Sequence, residues 1–185
     1  MRSTSQLGTV PAAVPLLADD ILEFHAARLL LLFAVCGTAG RIDGLTKMAK
    51  LDFFVRYPAF FVEVCEKLGM PVKAAPASTV ESAMVRHHYG PWDQRYYQIL
   101  GYLEGRGLLQ ARQSGKPYSL LLTAAGKEAA MALRKNPAFS DLTEQMKQVK
   151  EVLGGKSGTS IKNLIYKTFR DEVAERPMGK TIEKQ

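Results

Sequence analysis

The residues from Tyr89 to Leu133 constrain the fold more than any other part of the chain. Apolar side chains at helical spacing predict a helix that opens at Pro91–Asp93, with the Asp93 carboxylate placed to cap the first turn. Gly105 and Gly107 are expected to end this helix, because glycine readily adopts positive φ. The first half of this segment is therefore a helix with a defined beginning and end.

A short β-hairpin and a second helix follow. Leu108–Leu109 begins a strand, residues 113–116 form the turn, and apolar side chains alternate along Tyr118–Leu122. Thr123 is placed to cap a helix that stops before Pro137. A helix, a hairpin and a helix in this order are typical of a winged helix. We predict a mainly α (α+β) fold, a winged helix-turn-helix with added helices and a short β-hairpin wing.

The rest of the chain is predicted to be mainly helical, apart from its N-terminal arm. Residues 1–17 form a flexible N-terminal arm, residues 18–136 the winged-helix domain, and residues 137–185 a C-terminal helical extension. Asp141 and Glu144 have the spacing of a capping box. Residues 84–89 fit either a helix or a strand beside the wing, and the sequence leaves both open.

Composition narrows the range of partners without selecting one. The chain has 185 residues, 46% of them hydrophobic, and a net charge of +7, which permits attraction to nucleic acid or to an acidic protein. Its basic residues are spread along the chain, whereas a dedicated DNA-binding protein more often concentrates them on one element. Cys36 and Cys65 follow apolar residues, which favours buried free thiols in a reducing cytoplasm. The longest apolar run, Leu29–Cys36, is too short to span a bilayer, so we expect a cytoplasmic protein without membrane contact.

No catalytic, metal or cofactor site is predicted. Gly155-Lys156-Ser157 resembles part of a phosphate-binding loop, but Lys150 occupies the position of its first glycine and the segment follows a helix. His87 and His88 are adjacent, so their side chains diverge and converge poorly on one ion. We therefore expect a protein that is not an enzyme.

DNA contact is predicted to be weak in sequence preference. In a winged helix, the helix before the wing enters the major groove. Here Arg95 stands near the start of that helix, but Glu104 would oppose phosphate. Cations of the wing and of neighbouring elements are candidate nucleic-acid contacts, with ordinary solvated surface charges as an equally weighted alternative. These candidates are Arg112, Lys116, Arg95, Arg86, Lys47 and Lys50.

Aromatic and apolar side chains are candidates for docking a protein partner. They lie on the helix before the wing and on the last predicted helix, whose apolar stripe would more commonly pack onto its own domain. The candidates are Tyr96, Tyr97, Tyr102, Ile161, Leu164, Ile165 and Phe169.

Several motifs resemble a known family. The chain contains Tyr-Gly-Pro-Trp-Asp at 89–93, Asp-Gly-Leu-Thr-Lys at 43–47 with Lys-Leu-Asp at 50–52 and Arg-Tyr-Pro at 56–58, and Ile-Lys at 161–162 before Ile-Tyr at 165–166. In their order along the chain, these motifs resemble the middle component of ABC-three-component bacterial defence systems. This group includes the accessory subunit of Lamassu-type systems. The resemblance implies a non-catalytic, kleisin-like subunit that bridges an SMC-like (Rad50-like) ATPase and an effector nuclease in defence against phage or plasmids. The cations of the wing add non-specific double-stranded DNA as a further candidate partner. The alternative is a winged-helix transcriptional regulator, dimeric through its two C-terminal helices.

Overall fold

Helices make up most of the computed structural model, which describes residues 21–72, 84–87, 90–113, 118–170, 173 and 177–182. The predicted N-terminal arm and Lys116 lie outside these ranges. The α-helices within them are α1 Leu22–Cys36, α2 Leu45–Arg56, α3 Pro58–Lys67, α4 Tyr96–Gly105, α5 Ala124–Lys135, α6 Ser140–Leu153 and α7 Gly158–Thr168. Two small antiparallel sheets accompany the helices. Their strands are β1 Arg41–Asp43, β2 Val85–His87, β3 Gly90–Trp92, β4 Leu109–Arg112 and β5 Ser119–Leu122.

The predicted hairpin is confirmed. β4 and β5 pair in antiparallel register with Leu109 opposite Leu122, and β1 pairs with the other edge of β5, which gives the strand order β1-β5-β4. Thr123 caps α5 as predicted, since its Oγ1 accepts the Gly126 N–H at 3.0 Å. Gly107 has the positive φ of 68° that the end of α4 requires, whereas Gly105 is still helical.

The predicted start of the helix before the wing is wrong. Gly90–Trp92 forms β3, which pairs with β2, and α4 begins only at Tyr96. Asp93 is not the N-cap but closes a turn, in which its Oδ1 accepts the Arg95 N–H at 2.9 Å. The open choice at residues 84–89 is settled for Val85–His87 as a strand, and its partner is β3 rather than the wing.

α1 lies at the centre of a single hydrophobic core. Its residues Leu29–Phe33 are almost entirely buried, and α4, α5 and α6 all contact this helix. α6 and α7 also pack on α2, so the segment after residue 136 joins the same core and is not an appended extension. The proposed capping box of α6 is wrong, because its N-cap position is Phe139 and Glu144 pairs instead with Lys147. Within the described ranges, no helix combines the length and apolar character needed to cross a bilayer.

Candidate functional site

A buried ionic cluster lies beneath the start of α4. We define it as His25 and Arg28 of α1, Asp52 and Arg56 of α2, and Asp93, Arg95 and Tyr96 at the start of α4. Six of its seven members are buried, and Arg95 is partly exposed. Charged side chains are this deeply buried only when they are paired, and here three separate elements supply the partners.

Asp52 connects α1 and α4 to α2. Its Oδ1 accepts the Arg28 Nε–H at 3.0 Å, and its Oδ2 accepts a second Arg28 N–H at 3.3 Å. The same Oδ2 accepts the Tyr96 hydroxyl at 2.7 Å. Burial, reinforced by the negative charge of Asp52, holds the pKa of Tyr96 well above its usual value, so the phenol stays protonated and donates.

Asp93 forms the second centre of the cluster. Its Oδ2 accepts from Arg56 at 2.7 Å and from Arg95 at 2.9 Å. Burial alone would raise the pKa of Asp93, but the hydrogen bonds from Arg95 and the charge of Arg56 outweigh burial and hold that pKa well below its usual range. The imidazole of His25 lies between Arg28 and Arg95, at 2.8 Å from a guanidinium nitrogen of each. The cluster therefore ties α1, α2 and the β3–α4 connection into one unit.

Lys50 is the clearest error among the predicted nucleic-acid contacts. Its side chain is fully buried and its Nζ donates to the carbonyl oxygen of Pro91 at 2.7 Å, which fastens β3 to α2. Burial, with a smaller contribution from the charge of Lys162, lowers the pKa of Lys50 from 10.5 to about 7. A lysine in this position holds two elements of the core together, and its side chain is not accessible to DNA.

We expect stability to rise with pH because of Lys50. Its pKa of about 7 in the folded protein lies below its value of 10.5 in the unfolded chain, so the unfolded chain binds more protons between these values. The free energy of unfolding should therefore increase by about 1.5 kcal/mol from about pH 7 to about pH 8.5, measured by urea denaturation. The Cys36 and Cys65 thiols begin to ionise in the unfolded chain toward the top of this range and offset part of the rise, so the Lys50 contribution is the difference between the unaltered chain and Lys50→Met. Lys50→Met should abolish the rise, and a variant that keeps it would contradict this origin.

The other predicted cations have different environments. Arg95 is partly exposed and donates to both oxygens of Asp93, so the guanidinium of this predicted nucleic-acid contact is engaged within the cluster. Arg86 is half-buried on β2, in the sheet separate from the β4–β5 hairpin. Arg112 is exposed on β4, where it contacts Gln110 at 3.3 Å. Lys47 donates to the carbonyl oxygen of Gly154 at 2.8 Å and lines an open groove beside the turn between α6 and α7.

The predicted docking residues divide by burial. Tyr97 is 65% exposed, and Tyr102 and Leu164 are half-buried. The predictions for the remaining four are wrong, because their side chains are fully buried and pack within the core of this chain; they are Tyr96, Ile161, Ile165 and Phe169. Phe169, for example, stacks edge-on against Phe60 of α3 at a centroid distance of 4.7 Å.

The thiols are buried, as the sequence predicts. Cys36 and Cys65 are both free and inaccessible. Burial raises the pKa of Cys36 to about 12, and burial also raises the pKa of Cys65. Neither thiol has the ionised, accessible form that reactive cysteines need. Among the described residues, no group of His, Cys, Asp and Glu side chains is arranged to hold a metal ion.

The sequence contained one signal of the ionic cluster. Asp52 and Arg56 stand four residues apart, which places both on one face of α2, and that face is buried. Arg28 stands within the apolar helix α1, where a charged side chain needs a buried partner.

Comparison of the chain with protein-family models, curated proteins and solved structures found no match.

Proposed function

We propose that this chain is a non-catalytic, kleisin-like accessory subunit with a winged-helix architecture. It docks on an SMC-like (Rad50-like) ATPase and joins that ATPase to an effector nuclease in bacterial defence against phage or plasmids. The proposal starts from the resemblance of its motifs to the middle component of ABC-three-component systems.

The location of the motif residues supports the proposal. Asp52 and Arg56, from one motif, lie in the ionic cluster with Asp93, from another. Lys50 of the first motif binds the carbonyl of Pro91 in the second. The two motifs therefore contact each other in the folded chain, and these contacts fix α2 against β3 and α4. A set of motifs that interlocks in this way favours a shared scaffold over a chance similarity.

The order of elements supports the winged-helix part of the proposal. α1, β1 and α2 are followed, after α3 and the β2–β3 sheet, by α4, β4 and β5. β1 joins the outer edge of the hairpin, as the first strand of a winged helix does. In this assignment α4 is the helix before the wing, and α3 with β2 and β3 is an insertion ahead of it.

The exposed face of α4 favours a protein partner. It presents Tyr97, Gln98, Gly101 and Glu104 to solvent. An exposed tyrosine is a common anchor of protein interfaces, whereas Glu104 would repel phosphate in a DNA groove. Beside this face, the Arg106 guanidinium lies 5.7 Å from the ring centre of Tyr102.

Purification of the tagged chain from its native host is the direct test. We expect an SMC-like ATPase to co-purify, and Tyr97→Glu to reduce its recovery by roughly tenfold or more, because a buried charge replaces an aromatic anchor. Met131→Glu is the matched control, since Met131 is 56% exposed on α5 and distant in sequence from α4. A monodisperse chain without an ATPase would contradict the proposal. Equal losses in the two variants would contradict docking through α4.

The alternative, a dimeric transcriptional regulator, has less support. It needs the apolar stripe of α7 for its dimer interface, but Ile161 and Ile165 are fully buried within the chain itself. The two functions differ in DNA binding by the isolated protein across salt concentrations. Tight, sequence-dependent binding would favour the regulator, and weak binding with a steep salt dependence would favour the subunit.

A further inference from the structure

An open groove of about 920 Å³ lies between the start of α2, the turn end of the hairpin and the turn that joins α6 to α7. We call it the basic groove. Its lining residues come from three stretches of the chain: Asp43–Lys47, Tyr118, and Gly155–Thr159 with Lys162. The hairpin side is attached to the α2 side, because the Gly44 N–H donates to the Tyr118 carbonyl at 2.7 Å.

Three lysines line the basic groove. Lys47 comes from the first turn of α2, Lys156 from the α6–α7 turn, and Lys162 from α7. Gly158 permits this convergence, because a Cβ there would lie 2.9 Å from the backbone nitrogen of Lys47. α2 also begins at this groove without a side-chain cap on its first turn, which adds a positive dipole end to the lysine charges.

The acidic residue in the lining is already paired. The carboxylate of Asp43 lies 3.3 Å from Arg41 and accepts the Ser119 hydroxyl at 2.6 Å. Because Asp43 is the only acidic residue among those lining the groove, the described lining has a net positive charge. The groove is therefore complementary to an anion.

The wing extends the same positive surface. Arg112 on β4 is opposite Ser119 on β5, and Ser119 is opposite Asp43 on β1, so the three residues form one row across the sheet. Two strand spacings separate Arg112 from Asp43 by roughly 10 Å. That span corresponds to about three base pairs measured along the axis of a DNA duplex.

We propose that the basic groove binds the phosphate backbone of double-stranded DNA without sequence preference, through Lys47, Lys156 and Lys162, with Arg112 contacting the same strand. Such binding deepens the proposed function, on which it rests for its biological role, by giving the accessory subunit a DNA contact away from α4. An open groove with cations from α2, from the α6–α7 turn and from α7 suits the phosphate backbone, whose displaced counterions favour binding.

The test is binding of the isolated full chain to a labelled 20-base-pair duplex, measured by fluorescence anisotropy from about 0.05 to 0.3 M salt. The double variant Lys156→Gln/Lys162→Gln should weaken binding at 0.1 M salt by about tenfold for each lost contact. It should also reduce the slope of log affinity against log salt by about one for each lysine. Lys156→Gln alone, in the turn, is a second variant that leaves the helices untouched.

The double variant Lys67→Gln/Lys135→Gln is the matched control, because it removes the same charge from exposed ends of α3 and α5. The control should keep both the affinity and the salt slope of the unaltered chain. The inference is overturned if the groove and control variants bind equally well, or if the unaltered chain does not bind the duplex.

Co-purification separates the two proposals. Groove variants that bind DNA normally but lose the ATPase would identify the groove as a protein-docking site and overturn the DNA inference, while the proposed function would stand. Groove variants that lose DNA binding, in a chain that never recovers an ATPase, would support the groove and contradict the proposed function.

Discussion

Asp52→Ala is expected to reduce the free energy of unfolding by about 3–5 kcal/mol, the usual cost of leaving a buried charge without its partner. Asp52 and Arg28 are both fully buried, and the substitution removes the carboxylate that accepts two N–H groups of Arg28. The Tyr96 hydroxyl loses its acceptor in the same step. Urea denaturation followed by circular dichroism measures the change.

Two further variants separate the buried charge from other causes. Tyr96→Phe removes only the phenol donor and should cost about 1–2 kcal/mol. Asp43→Ala removes an aspartate of the same size whose pair with Arg41 is about half exposed, and it should cost less than about 1 kcal/mol. If Asp52→Ala were no worse than Asp43→Ala, the ionic cluster would not be a stabilising junction.

The elements set by local sequence could be predicted. The β4–β5 hairpin follows from the strand start at Leu108–Leu109 and the alternation of apolar side chains along Tyr118–Leu122, and Thr123 lies where a cap is required. Pro58 begins α3 because its fixed φ suits the first turn of a helix. Each of these features depends on residues within a few positions of each other, so the local sequence is sufficient to predict it.

Features that depend on distant pairs could not be predicted. Lys50 has the spacing of an outward-facing lysine, but its acceptor is the carbonyl of Pro91, 41 positions away. Arg28 would be assigned to a helix flank without knowledge of Asp52, 24 positions away. A charged residue in an amphipathic pattern is normally exposed, and only a partner across the core reverses that rule.

The start of α4 was missed for a related reason. Trp92 and Asp93 favour a helix start locally, but pairing of β3 with β2 delays the helix until Tyr96. The apolar stripe of α7 favoured packing onto its own domain over a partner, and α7 does pack on α2 in the structure.

Gly126→Ala is expected to destabilise the protein by about 3 kcal/mol, because overpacking that must move backbone is costly. A Cβ at Gly126 would lie 1.9 Å from the carbonyl oxygen of Leu108, just before β4. The Leu108 carbonyl also accepts the Thr123 N–H at 3.1 Å, so α5 and the hairpin meet through this contact. Gly126 is thus a packing contact between α5 and the hairpin. Urea denaturation and hydrogen exchange of β4 measure the effect.

Gly101→Ala is the matched control, because it makes the same substitution inside a helix with the opposite expected result. Apart from the neighbouring backbone of α4 itself, no atom of the described residues lies within 4 Å of the position of a new Cβ at Gly101, which is exposed on α4. Alanine there should stabilise the protein by about 0.5–1 kcal/mol through its higher helix propensity. Because both glycines are helical, opposite signs would isolate the close approach to Leu108 as the cause. A stabilising Gly126→Ala would mean that α5 can move away from the hairpin at little cost, and the wing would then be loosely held.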